Sequence, residues 1–212
     1  MLHNIFNHSV FIKKINNLDQ FEKHRNTFTN QIVNMANHLA THTDNVNLAS
    51  DVETRGKLTT TVGRHNGVWL ILDLPAFKLL EKVLLPSVIE ARDSIFKNAA
   101  ATNLKLSRAW NNVNYKNSYT VSHNHNVLDT NMLACIFYLE APEYSGKFAI
   151  INEPLNDKTI NLSCTDFDQT KVHYINVEPN MLICHAGDVT HAVSEHLSDQ
   201  RRTCVIFEYQ LH

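Results

Sequence analysis

The stretch Tyr119–Asp129, YTVSHNHNVLD, places His123 and His125 one residue apart. On a β-strand, residues i and i+2 share a face, so both imidazoles of such a pair can reach one metal ion. The chain has 13 histidines, so the pair gains weight only with a third ligand from elsewhere. The segment MLICHAGDVTHAVSEH offers His185, His191 and His196. His191 is the strongest of these, because it follows a Gly-Asp turn and opens the short apolar run HAV. His185 and His196 read more readily as ordinary strand-end or loop residues. Arg202 comes eleven residues after His191 and begins the alternating run RTCVIFEYQ. In that run Arg202, Cys204, Ile206 and Glu208 share one face. Arg201 would face the other side.

Positioning these groups requires a strand-rich scaffold. After about Asn103, short apolar or alternating runs recur with turn residues between them: NLKLSRAWNNVNY, SYTVSHNH, NMLACIFYLE, GKFAIIN, TINLS, VHYINVE, NMLICHAG, THAVSEH and RTCVIFEYQ. Many short strands at close spacing point to a β-sandwich or barrel. The first half reads differently. SVFIKKI is a strand candidate, and LDQFEKHRNTFTNQIVNMANHLA has apolar residues at helical spacing. LPAFKLLEKVLLPSVIEARDSIFKNAAA reads as a long helix with a kink near Pro86. GVWLILDLP reads as a strand or a buried apolar segment, and the polar residues 41–66 suggest no element. The expectation is one domain, 1–212, with a helical and strand support region over 1–102 and a barrel core over 103–212.

Composition excludes several classes. The 212 residues are 43 % hydrophobic and 19 % charged, an ordinary globular balance that argues against disorder. A net charge of −2 and the lack of a basic run disfavour nucleic-acid binding as the main task. No apolar run is long enough for a membrane span. The first residues show no apolar signal region, so a cytoplasmic location is expected. The four cysteines are too far apart in sequence for a zinc knuckle or a redox pair, and are expected to be free thiols.

The residues Trp110, Asn112, Asn114, His123, His125, Tyr138, Leu139, Gly146, Glu153, Pro154, His191 and Arg202 together resemble the Fe(II)/2-oxoglutarate-dependent oxygenase superfamily, within it a subgroup of oxygenases from bacteria and phages. The likeness covers about residues 108–209. It implies a double-stranded β-helix, a jelly-roll (cupin-like) barrel carried by N-terminal helices. It also implies Fe(II) in the barrel mouth with 2-oxoglutarate as co-substrate, and a hydroxylase acting on a substrate the sequence does not reveal. The superfamily's metal triad is two histidines and one carboxylate, a facial set with open positions. Here that carboxylate position reads His125, so the resemblance implies His123, His191 and either His125 or Asp129. Three histidines would also suit Zn²⁺. Arg202 would take the distal carboxylate of 2-oxoglutarate, with hydroxyl hydrogen bonds from Tyr138 and Tyr119. Where the family often has a hydroxyl residue two positions after the arginine, this chain has Cys204. A cupin-like metal-binding protein without oxygenase activity is the alternative, and a Zn²⁺ hydrolase using Glu153 or Asp188 as base is a third reading. The strand edges and N-terminal helices could support a homodimer.

Overall fold

The computed structural model describes residues 1–42, 54–55, 58–62, 69–97, 103–125, 131–152 and 171–212. Two antiparallel sheets face each other. The larger has seven strands: β1 (Leu2–Ile5), β2 (His8–Lys14), β10 (Met181–Ala186), β7 (Met132–Glu140), β12 (Arg202–Leu211), β5 (Leu104–Asn114) and β4 (Leu58–Thr60), in that spatial order. The smaller has five: β3 (Thr54–Arg55), β6 (Tyr119–His123), β11 (His191–Val193), β8 (Lys147–Ile151) and β9 (Val172–Asn176). Helices α1 (Asp19–His42) and α2 (Pro75–Ile95) lie on the outer face of the larger sheet. This is a double-stranded β-helix with N-terminal helices, as the sequence led us to expect.

Period-two alternation in the central strands builds two cores. In β7, Leu133, Cys135, Phe137 and Leu139 join Val205, Phe207 and Tyr209 of β12 against the helices. The intervening Ile136, Tyr138, Cys204 and Ile206 point between the sheets, where they meet Trp110, Phe148 and Ile183. A strand buried on both faces must be apolar on both, which explains why NMLACIFYLE reads as a continuous apolar run. Helix α1 carries acidic residues Asp19 and Glu22 in its first turn, where the helix dipole favours them. Its buried face is Phe21, Phe28, Ile32, Val33 and Ala36. Helix α2 starts at Pro75, a position that needs no N–H donor. It continues through Pro86 as one helix, with Phe77 stacked on Phe207 at 5.2 Å between ring centroids.

Three expectations need correction or extension. The run GVWLILDLP forms no strand among its described residues: residues 70–73 are turn, leading directly into α2. Periodicity alone does not separate a short apolar run from a strand. The polar stretch 41–66 contributes β3 and β4, which complete one edge of each sheet. The TINLS run lies outside the described residues, as does Cys164, while Cys135, Cys184 and Cys204 are free and buried. Among the described residues, no helix is long and apolar enough to cross a membrane.

Candidate metal and co-substrate site

His191 opens β11 and is the register partner of His123 at the end of β6. His125 follows two residues later, in the bend beyond β6, where its backbone N–H donates to the Gly187 carbonyl at 2.8 Å. One ring nitrogen from each of His123, His125 and His191 lies within 4.8 Å of the others. His125 Nε2 and His191 Nε2 are 3.2 Å apart. Two nitrogens that each sit about 2.0–2.1 Å from one ion end up roughly 3 Å apart when they are neighbouring ligands, so the spacing fits a shared cation.

The tautomers follow from the acceptors. His123 Nδ1 donates to the Val121 carbonyl at 2.9 Å, and His191 Nδ1 donates to the Val189 carbonyl at 3.0 Å. His125 Nδ1 lies 2.5 Å from the Glu208 carboxylate oxygen Oε1. A carbonyl only accepts, so in His123 and His191 the proton sits on Nδ1 and Nε2 keeps its lone pair; the Glu208 carboxylate, when ionised, imposes the same tautomer on His125. Three lone pairs then converge on one point. Burial pushes all three imidazoles below their usual pKa range; in His125 and His191 the neighbouring histidines push further the same way. Neutral imidazoles are what a metal needs. Aromatic rings hold two of them in plane: Trp110 stacks on His125 at 5.8 Å, and Phe148 on His191 at 5.1 Å.

The cavity beside these rings is lined by Arg202, Cys204 and Ile206 of β12, Asn112 and Asn114 of β5, Tyr138 of β7, Thr60 of β4 and Thr120 of β6. Arg202 is 1 % exposed. Its Nη1 donates to the Ser145 carbonyl at 2.6 Å, and its Nε has no hydrogen-bond partner among the described residues. No carboxylate pairs with it among those residues. A buried guanidinium without a counter-ion is costly unless an anion joins it. Burial raises the Tyr138 and Cys204 pKa values, the thiol to about 11, so both stay neutral beside Arg202. Gly146 has φ +83° and follows Ser145; a Cβ there would run into the Ser194 carbonyl oxygen and lie 3.2 Å from Arg202 Nη1. Glycine is therefore required where the turn closes over the guanidinium.

Arg201 points outward and pairs with Glu140 through two contacts, of 2.8 and 3.0 Å. Tyr119 is not among the residues lining the cavity; Thr120 takes that place. The physical reason is a register shift between β6 and β11: Val193 pairs with Thr120 and His191 with His123, so one extra residue separates the pairs on β6. The bulge breaks the alternation that would put Tyr119 and His123 on one face. Asp129, Glu153 and Pro154 lie outside the described residues. Asp188 is exposed and His196 is tied to the Gln200 carbonyl at 2.6 Å. His185 packs beside the triad, 4.6 Å from His191 between ring centroids, with Nδ1 on the Ala186 carbonyl and Nε2 unpartnered among the described residues. Glu208 and Arg108 also belong to the site, and no motif marks them. The signal was present: an acid continuing the inward-facing series Arg202, Cys204, Ile206.

A family model described as "Putative 2OG-Fe(II) oxygenase" matches residues 108–208, a span that holds His123, His125, His191 and Arg202. That span, a little under half of the chain, is similar to the 2OG-Fe(II) oxygenases. Solved oxygenase structures share its fold. HygX from Streptomyces hygroscopicus, crystallised with nickel and 2-oxoglutarate bound, is 14 % identical with a TM-score of 0.60, over 95 % of this chain and 82 % of that one. A prolyl-4-hydroxylase from Pseudomonas putida is 10 % identical with a TM-score of 0.53, over 98 % and 95 % of the two chains. The chain spans 59 % of a 2OG-Fe(II) oxygenase-family oxidoreductase from Burkholderia pseudomallei, over 66 % of its own length, at 14 % identity and a TM-score of 0.48. No curated protein matches the chain. At these identities the likeness to solved oxygenases is one of fold.

Proposed function

We propose that the protein is an Fe(II)- and 2-oxoglutarate-dependent dioxygenase that hydroxylates a C–H bond of its substrate. His123, His125 and His191 hold the metal, and Arg202 holds the distal carboxylate of 2-oxoglutarate. The observation that carries this reading is the pairing, in one cavity, of three converging imidazole lone pairs with a buried guanidinium that has no counter-ion among the described residues. The donor chemistry suits the group: three neutral imidazoles on one side leave positions open on the other. They bring no negative charge, and a dianionic co-substrate offsets that. Fe(II) with 2-oxoglutarate and O₂ supplies oxidative decarboxylation to succinate and CO₂, coupled to C–H oxidation.

The chain's own residues have defined tasks. Arg202 binds the carboxylate with its free donors, while its Nη1 stays anchored on Ser145. Tyr138, kept protonated by burial, offers a hydroxyl beside the same position. Trp110, Phe148, Ile136 and Ile206 keep the cavity wall apolar and limit water around the metal.

The test is aerobic incubation of purified protein with Fe(II) and 2-oxoglutarate, followed by succinate measurement. Succinate formation that depends on Fe(II) and disappears in His191→Ala is the expected result. Metal binding without any affinity for 2-oxoglutarate would favour the alternative, a cupin-like metal-binding protein without oxygenase activity.

A further inference from the structure

We propose that Glu208 is the positioning residue of the metal centre, the carboxylate that this chain keeps behind His125 instead of on the ion. The inference rests on the triad reading above. His123 and His191 each find an acceptor for Nδ1 in the carbonyl two residues earlier, Val121 within β6 and Val189 just before β11. His125 lies beyond the last residue of β6 and uses the side chain of Glu208 instead, at 2.5 Å. The two residues are 83 positions apart, so the contact belongs to the tertiary fold.

Glu208 is 1 % exposed and lies on the inward series of β12. Its register neighbours are Arg108 of β5 on one side and Ala134 of β7 on the other. Ala134 leaves room for the carboxylate. Arg108 supplies its counter-charge: the guanidinium Nε pairs with Glu208 Oε2, which leaves Oε1 for the imidazole. The chain Arg108–Glu208–His125 thus ends at the metal-facing Nε2. A carboxylate on the far nitrogen of a ligating histidine fixes tautomer and ring orientation and makes the near nitrogen a better donor. It also returns to the centre, one imidazole away, the negative charge that a third histidine lacks.

The test uses Co²⁺ as the probe, titrated into metal-free full-length protein in competition with a chelator. Wild type, Glu208→Gln, Glu208→Asp and Arg108→Gln are compared, and the melting temperature of each metal-free protein is recorded. Glu208→Gln keeps the size but loses the charge, and we expect Co²⁺ binding about 10–100-fold weaker, with a changed visible Co²⁺ spectrum. Glu208→Asp should recover part of the affinity. Arg108→Gln alters a side chain that is 28 % exposed, and should weaken binding by a smaller factor without lowering the melting temperature. If Glu208→Gln melts too low to assay, Arg108→Gln decides. Wild-type binding with unchanged affinity in Glu208→Gln, or in Arg108→Gln where that decides, overturns this inference and leaves the triad standing. Absence of Co²⁺ binding by wild type overturns the triad and this inference together.

Discussion

His125 Nε2 and His191 Nε2 face each other at 3.2 Å, although 66 positions separate them in the chain. The Val189 carbonyl keeps the His191 proton on the opposite nitrogen, and the Glu208 carboxylate, when ionised, does the same for His125. Two lone pairs at that distance repel unless a cation lies between them. The fold therefore spends stability on holding them together, as metal sites do.

Removing a ligand should show this directly. His123→Ala, His125→Ala and His191→Ala are each expected to lower metal affinity by at least about 100-fold, since each deletes a direct ligand where loss of a supporting partner already costs 10–100-fold. Metal content after dialysis against a weak chelator measures it. The metal-free variants should melt no lower than metal-free wild type, because relieving crowded lone pairs offsets the lost packing. Full metal retention in His125→Ala would move the third ligand to another residue, Asp129 first.

The adjacent arginines should behave oppositely. Arg202→Met removes the buried cation and should weaken 2-oxoglutarate binding by roughly 2–5 kcal/mol, the usual cost of truncating one partner of a buried charge pair. Arg202→Lys should restore only part, because an ammonium lacks the planar fork. Arg201→Ala breaks a part-exposed pair with Glu140 and should change stability by no more than about 1 kcal/mol, with 2-oxoglutarate binding unaltered. Calorimetry on all three separates the roles; equal losses at both positions would contradict the assignment.

Gly146→Ala should cost about 1–3 kcal/mol in denaturant unfolding, the range for a non-glycine residue in a sparsely populated backbone conformation. The added Cβ also presses on Ser194 and on Arg202 Nη1. A raised KM for 2-oxoglutarate is therefore expected beside the stability loss. Unchanged stability would show that the turn adjusts freely.

Glu81 of α2 supplies a pH test away from the metal. Burial raises its carboxyl above the ordinary value, with the Tyr209 hydroxyl opposing. The folded protein thus holds this proton more tightly than the unfolded chain does. The contribution is fully present below the unfolded pKa and is lost as pH rises through the folded one. Glu81→Gln should flatten the fall in stability between mildly acidic and neutral pH, measured by urea unfolding. An unchanged pH profile would contradict the burial argument.

The barrel strands were legible in the sequence as short apolar or alternating runs between turns, and the gathering of His123, His125 and His191 followed from their spacing. Arg202 could be chosen over Arg201 on parity alone. Tyr119 lies off the cavity for the opposite reason: the bulge in β6 inserts one residue, and parity reverses across it. Residues 70–73 read equally as a strand or a buried apolar segment, and the second holds: Ile71 is buried in a turn, and Pro75 starts a helix immediately afterwards. Strands β3 and β4 are two and three residues long, too short for any pattern to register. Glu208 was visible as a member of the β12 series, yet its role depended on knowing that His125 lies above it, and no spacing rule encodes that contact.

Anaerobic calorimetric titration of 2-oxoglutarate, into protein with and without Fe(II), tests the central claim most directly. The account predicts binding that requires Fe(II) in wild type, is lost in His191→Ala, and is strongly weakened in Arg202→Met. Absence of binding to the Fe(II)-loaded protein, or binding of the same strength without metal and in Arg202→Met, would contradict it.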